Sequence, residues 1–264
     1  MPTAREIEAA LYEWAPKELA MDWDNVGLLV GDPDQEIHRV LVSLDITADV
    51  VEEAIAMGAE LIVSHHPLMN CKWLPVQTLR EDTPQGRMLR RMARADVAAI
   101  CMHTNLDAAE GGVNDALLRA LKVVDPGPLT EEQVGRVGWL EGGPVPLTEF
   151  VRRVSRTLGC NGLRYADAGK PVHRVAVGGG ACGEFVGRAM ALGCDTFVTA
   201  DLSYHDFLDA KPNGINLIDA GHFPTEDVVC PEIIEGLQWR FPELQIQKST
   251  SHREVIQYYV EGER

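Results

Sequence analysis

Apolar residues along this chain recur in two rhythms, every second position and every third or fourth, and these predict strands and helices in alternation. Thr3 with Glu6 has capping-box spacing, and Ile7, Ala10, Leu11 and Trp14 follow on one helical face, so an amphipathic helix is expected at the start. After Pro16 the loop MDWDNVGLLVGDP leads into an apolar strand, Val26 to Val30. Asp22, Asp24 and Asn25 in that loop have the chemistry of a structured turn, with ligand contact as the alternative. RVLVSLDIT, ADVVEEAIAMGA and ELIVSHHP then read as strand, helix with a glycine stop, and strand, which is a βαβ unit.

The same plan returns as RVAVGGGAC, GEFVGRAMALGC and DTFVTADLS, aligned without a gap. Val40 pairs with Val175, Val42 with Val177, Val51 with Val186, Ala54 with Ala189, Gly58 with Gly193 and Val63 with Val198, each 135 positions apart. Self-similarity at a fixed offset is the mark of a structural repeat. Each copy continues into a further apolar strand, AAICMHTNLD or INLIDAGHFPTE, that ends in a histidine followed four residues later by a carboxylate. His103 thus parallels His222, and Asp107 parallels Glu226.

VVDPGPLTEEQ and VGWLEGGPVPLTEF, rich in glycine, proline and turn residues, suit a passage from one lobe to the other. The expected fold is α/β: two intertwined α/β lobes related by internal duplication, with mixed sheets flanked by helices. The first lobe is expected over 1–125 and completed by 230–264, which reads as ending in a strand; the second is expected over 126–229.

Charge and cysteine usage narrow the functional classes. A formal net charge of -16 repels nucleic-acid phosphate, so a DNA- or RNA-binding role is disfavoured. Cys71, Cys101, Cys160, Cys182, Cys194 and Cys230 form no CxxC pair and read as reduced thiols, mostly buried. No basic segment followed by an apolar one opens the chain, and no apolar run reaches membrane-spanning length. A cytoplasmic protein without membrane association is the expectation.

The candidate chemistry lies at strand ends, where open α/β sheets place their ligands. In SHHP the backbone turns at Pro67, which also restricts His66 to an extended conformation, so both imidazoles can converge. Imidazole with carboxylate suits zinc, iron, manganese or cobalt better than calcium or copper. His65, His66, His103, His222, Asp107 and Glu226 make six candidate ligands, more than one tetrahedral zinc requires, and two divalent ions bridged by a carboxylate would use them. Such a dinuclear site would be shared between the lobes.

SHHP, HTNLD and GHFPTE, with WDNVGLLVG and SLDIT before them, resemble the Nif-three-like family of dinuclear metal-centre proteins, whose bacterial members are labelled type 2 homologues of GTP cyclohydrolase. The resemblance runs from Trp23 to Glu226 and on to the terminal strand. It implies metal ligation by His65, His66, Asp107, His222 and Glu226, and for His103 a catalytic part in proton relay beside the metals. It also implies a toroidal homohexamer, without the large insert that some members carry between the halves. The function it implies is a metal-dependent hydrolase acting on a nucleotide or related phosphorylated or heterocyclic small molecule, GTP cyclohydrolase-like ring opening being the example. The rival class is a non-catalytic metal-binding or metal-delivery protein acting as an assembled ring.

Three other signals compete. GGGACG, Gly178 to Gly183, fits G-x-G-x-x-G between a strand and a helix, so a dinucleotide site or a phosphate cradle stands against a plain tight turn. The other copy has SLDITAD there, so the architecture does not depend on those glycines. Asp201, Ser203 and His205 in TADLSYHDF evoke a nucleophilic triad but lack a nucleophile elbow; the stronger reading is that Asp201 and His205 line the metal cavity, or that His205 helps orient a substrate. Arg87, Arg90, Arg91 and Arg94 form either a phosphate-binding patch or a solvated helix face.

Overall fold

A computed structural model describes residues 1–70 and 78–259, so Cys71 lies outside the described residues. In chain order the elements are α1 (Ala4–Trp14), β1 (Gly27–Val30), β2 (Arg39–Ser43), α2 (Ala48–Met57), β3 (Leu61–Ser64), α3 (Pro84–Ala95), β4 (Ala98–Cys101) and the single turn α4 (Thr104–Ala108). Then follow α5 (Val113–Leu121), β5 (Val123–Pro128), β6 (Arg136–Leu140), α6 (Leu147–Leu158), β7 (Arg164–Ala166), β8 (Arg174–Val177) and α7 (Val186–Ala191). The chain continues through β9 (Thr196–Thr199), α8 (Tyr204–Asn213), β10 (Asn216–Asp219), α9 (His222–Glu226), α10 (Val229–Arg240) and β11 (Gln245–Lys248). Short polar side chains start several of these helices. Thr3 and Glu6 close a capping box on α1, Thr47 accepts from Val50 N–H to cap α2, and Thr83 with Pro84 at the first helical position opens α3. Gly58, left-handed at φ 69°, ends α2.

The chain forms two compact units. The first comprises Met1–Gly112 with Val229–Arg253, and its five-stranded sheet has the order β1-β4-β3-β2-β11. β4, β3, β2 and β11 run parallel and β1 pairs antiparallel at the edge. β3 and β4 are buried at every position, as parallel strands covered on both faces must be. Ile62, Leu41 and Ala99 pack with Val50, Val51 and Ala54 of α2 and Leu89 and Met92 of α3 in one core.

The second unit comprises Val113–Val228 with the residues from Glu254 onward, and its six-stranded sheet has the order β5-β6-β8-β9-β10-β7. β8, β9 and β10 are parallel, and the remaining neighbours pair antiparallel. Its core gathers Leu117, Leu121, Phe150, Val154, Val175, Val198 and Ile218. VVDPGP, expected as inter-lobe passage, is the edge strand β5, and VGWL lies in its partner β6. Proline is tolerated there because an edge strand can dispense with one ladder donor, and the register shifts between Val124 and Gly127.

The duplication is visible in the strand register. Val40 pairs with Leu61 and Val42 with Val63, while Val175 pairs with Thr196 and Val177 with Val198, the same partners after the 135-residue offset. A side-chain feature repeats as well. The Glu60 carboxylate accepts from the amides of His38 and Arg39, at 3.1 and 2.8 Å, and Asp195 accepts from those of His173 and Arg174, at 3.1 and 2.8 Å. Among the described residues no helix is long and apolar enough to cross a membrane.

Candidate metal centre

In the first unit the chemistry sits just past the ends of β2, β3 and β4. Ser64 closes β3, and its hydroxyl donates to the His66 carbonyl at 2.9 Å while His66 N–H donates to the Leu44 carbonyl. The turn this makes brings His65 and His66 together although they leave a strand as neighbours, with ring centroids 4.9 Å apart. His103, just beyond β4, lies 5.2 Å from the His65 ring and 5.5 Å from that of His66. One ring nitrogen from each of the three falls within 4.8 Å of the others, a group able to hold a cation.

What holds each ring fixes its tautomer. His65 Nδ1–H donates to the Met102 carbonyl at 2.9 Å, His66 Nδ1–H to Asp45 at 2.8 Å and His103 Nδ1–H to Asp24 at 2.9 Å. With the proton committed to Nδ1, Nε2 becomes the lone-pair nitrogen, the arrangement that carboxylates and carbonyls impose on metal-ligating histidines. Asp107 follows one turn after His103 on α4, where its amide bonds to the His103 carbonyl, and its Oδ1 lies 3.7 Å from His65 Nε2. The expected short loop thus winds into a helical turn, and that turn aims the carboxylate at the imidazoles.

Asp24, expected in a structured turn, accepts from the Thr104 amide and hydroxyl, at 3.0 and 2.6 Å. It also anchors His103. Burial works against its charge, but the His103 hydrogen bond and nearby charge, with the Thr104 bonds, outweigh that and lower its pKa to about 2. Asp45 of SLDIT behaves alike: burial opposes ionisation, yet bonds from His252 and His66 hold the carboxyl well below the usual range.

The second unit carries its own set past β8, β9 and β10. Gly221, at φ 90°, turns the chain so that His222 begins α9 and Glu226 lies one turn later. His222 Nε2 is 3.1 Å from Glu226 Oε2, and Nδ1–H donates to Asp201 at 2.7 Å. Burial disfavours the imidazolium, but Asp201 and Glu226 together outweigh it and push the His222 pKa up to about 11. A ring so strongly charged by two flanking carboxylates marks a place where a divalent cation would compete with the proton for the same Nε2 and carboxylate oxygen. Asp201, 135 residues after His66, takes over in this copy the anchoring that Asp45 performs in the first.

The GGGACG turn packs against that pair. Gly179 N–H donates to Asn114 Oδ1, Gly180 N–H to Thr225 Oγ1 and Cys182 N–H to Thr199 Oγ1. Three of the amides a phosphate cradle would use are therefore already engaged by side chains. Gly180 is left-handed at φ 65°, and a Cβ there would stand 2.2 Å from Glu226 Oε1 and 3.1 Å from His222 Nε2. The glycine is required by the close approach of this turn to His222 and Glu226.

The other competing signals resolve into structural roles. Ser203 caps α8 in a capping box with Asp206, and His205 is exposed beside Tyr204. Arg90 and Arg94 pair with Glu81, and Arg91 with Glu52, all exposed, as a solvated helix face does. Cys101, Cys182, Cys194 and Cys230 are buried and Cys160 is partly buried.

Fold and site together define an α/β protein with candidate metal-ligand groups of histidine and carboxylate at the ends of duplicated parallel strands. The chain belongs to the DUF34/NIF3 (NGG1p interacting factor 3) family, whose model matches residues 2–254. It is 36% identical over 233 residues to a protein of Clostridium perfringens named GTP cyclohydrolase 1 type 2 homolog, covering 86% of this chain and 87% of that one. A Streptomyces coelicolor protein of the same name is 37% identical over 242 residues, 87% and 84% of the two chains. Among solved structures, a Bacillus cereus protein related to NIF3 superposes with a TM-score of 0.90 at 24% identity over 98% of this chain and 99% of its own, a likeness of fold. Staphylococcus aureus SA1388 gives 0.88 at 26% identity over 97% and 99%.

Proposed function

We propose that this chain is a metal-dependent hydrolase that holds two divalent ions on His65, His66, Asp107, His222 and Glu226 and acts on a nucleotide or related phosphorylated or heterocyclic small molecule. The observation that carries the reading is a shared anchor: His65, His66, His103 and His222 each have Nδ1 bonded to a carbonyl or carboxylate, which would direct Nε2 of His65 and His66, and of His222 once a cation displaces its proton, toward a metal ion and leave Nε2 of His103 to accept a proton. Two such ions would lower the pKa of a water toward neutrality and polarise the bond attacked. The donor set of imidazole and carboxylate oxygen fits zinc, iron, manganese or cobalt.

The protein's part is to hold these groups and move a proton. Asp24, kept ionised, fixes the His103 ring by accepting from its Nδ1–H, so His103 is placed to take a proton from the attacking water at Nε2 and return it to the leaving group. The name of the relatives points to a guanine nucleotide as the first substrate to try. The resemblance further suggests a homohexamer, for which light scattering should give a mass near six chains; a monomer at micromolar concentration would remove that part of the reading.

The test is metal analysis of the purified protein followed by a turnover screen over nucleotides, phosphodiesters and cyclic amides. Metal-dependent turnover that disappears in Asp107→Ala and Glu226→Ala supports the hydrolase. Bound metal that passes to an acceptor protein with no turnover on any of these compounds would instead favour delivery.

A further inference from the structure

Asp45, which orients the His66 ring, bonds to more than that ring. The Asp45 carboxylate bridges two rings: Oδ1 accepts from His66 Nδ1–H at 2.8 Å and Oδ2 from His252 Nε2–H at 2.7 Å. His252 lies 207 positions beyond Asp45, in the short stretch after β11. β11 pairs in parallel with β2, Gln245 opposite Arg39 and Lys248 opposite Val42, so the C-terminal strand enters the sheet beside the strand that carries Asp45.

The turn between β11 and His252 is held on several sides. Ser249 N–H donates to the Val42 carbonyl at 2.7 Å, and its hydroxyl donates to Glu53 on α2 at 2.5 Å. The same Glu53 carboxylate accepts from the amides of Thr250 and Ser251, at 2.9 and 3.2 Å, and His252 N–H donates to Ser249 Oγ at 3.3 Å. A surface tail would not need this many fixed points. They place the imidazole of His252, 9% exposed, on the second oxygen of a carboxylate whose first oxygen holds a proposed metal ligand.

We infer that His252 is a positioning residue for the metal centre: through Asp45 it fixes the ring of His66, so that the segment after the C-terminal strand sets the metal affinity of His66. The inference rests on the proposed metal role of His66. A carboxylate with one oxygen anchored has its plane fixed, and the imidazole on its other oxygen then has one favoured orientation. With that anchor removed, Asp45 can rotate and His66 must be ordered at the moment of binding, which lowers affinity.

The test is titration of the metal-free full-length protein with Co²⁺, following its visible ligand-field bands, for wild type, His66→Ala, His252→Ala and His252→Gln, with thermal melts of each metal-free variant. His252→Ala should bind cobalt about 10–100-fold more weakly, as loss of a residue behind a ligand does, and with altered ligand-field bands. His252→Gln, whose side-chain amide can still donate to Asp45, should recover most of the affinity and the wild-type spectrum. Affinity and spectrum unchanged in His252→Ala, where His66→Ala loses both, would overturn the positioning role and leave the metal reading standing. Equal losses in the Ala and Gln variants, tracking a common fall in melting temperature, would reduce His252 to a structural residue. A wild-type chain that binds no cobalt would overturn the metal reading and this inference with it.

Discussion

Replacing Gly180 by alanine perturbs the His222–Glu226 pair without replacing either residue. Two costs arise. A non-glycine residue at φ 65° carries left-handed strain of about 1–2 kcal/mol. The new Cβ would also stand 2.2 Å from Glu226 Oε1, where ordinary contact begins at 3.4 Å, so one of the two must move. The backbone is restrained, because Gly180 N–H donates to Thr225 at 3.0 Å and its carbonyl accepts from Ala200 N–H at 2.9 Å. The movement therefore falls on the Glu226 carboxylate and carries it away from His222 Nε2. For a chain of this size the strain alone should lower the melting midpoint of the metal-free protein by roughly 2–8 °C. Metal content, measured by elemental analysis, should fall further than that destabilisation explains. Gly187→Ala is the control: a Cβ there meets nothing within 4 Å, and alanine is favoured over glycine inside a helix by about 0.5–1 kcal/mol. A Gly180→Ala protein with wild-type metal content and an unchanged midpoint would refute the reasoning.

Two further outcomes follow from the anchors in the first unit. Asp24, at about 2 in the folded chain against an ordinary 3.8, binds its proton more readily when unfolded, so its contribution to stability is complete above about pH 4 and is lost as pH falls through 2; acid melts of metal-free Asp24→Asn should lack that share of the acid-side slope, and an unaltered slope would count against the His103 and Thr104 bonds as its source. His103→Gln should keep most of its metal while turnover drops by about 10²–10⁴, the usual scale of a lost proton-transfer group; metal loss in parallel with activity would make His103 a ligand instead.

The strands and the histidine pair were legible in the sequence because their signals are local. An apolar run, a glycine stop and a proline after SHHP each act within a few residues, and the 135-residue offset exposed the repeated plan without any contact being known. The anchors were not legible in the same way. Asp24 meets His103 79 positions away and Asp45 meets His252 207 positions away, and such pairings depend on which strands become neighbours in a sheet. The sequence marked Asp201 as lining a metal cavity, but its bond to His222 follows from β9 and β10 being adjacent. GGGACG shows how a local pattern misleads. Its glycines satisfy a nucleotide-binding spacing, yet Gly180 is demanded by the approach of Glu226, and the flanking amides already have side-chain acceptors. VVDPGP misled in the other direction, since turn-forming residues can occupy an edge strand where a ladder bond is dispensable.

The measurement closest to the central claim is the metal content of the purified chain and of Asp107→Ala, determined by elemental analysis against protein concentration. Five proposed ligands, more than one tetrahedral ion requires, predict close to two divalent ions per wild-type chain and the loss of at least one from the variant. A wild-type chain holding a single ion that survives the Asp107 replacement, or holding none after incubation with zinc, iron, manganese or cobalt, would contradict the account.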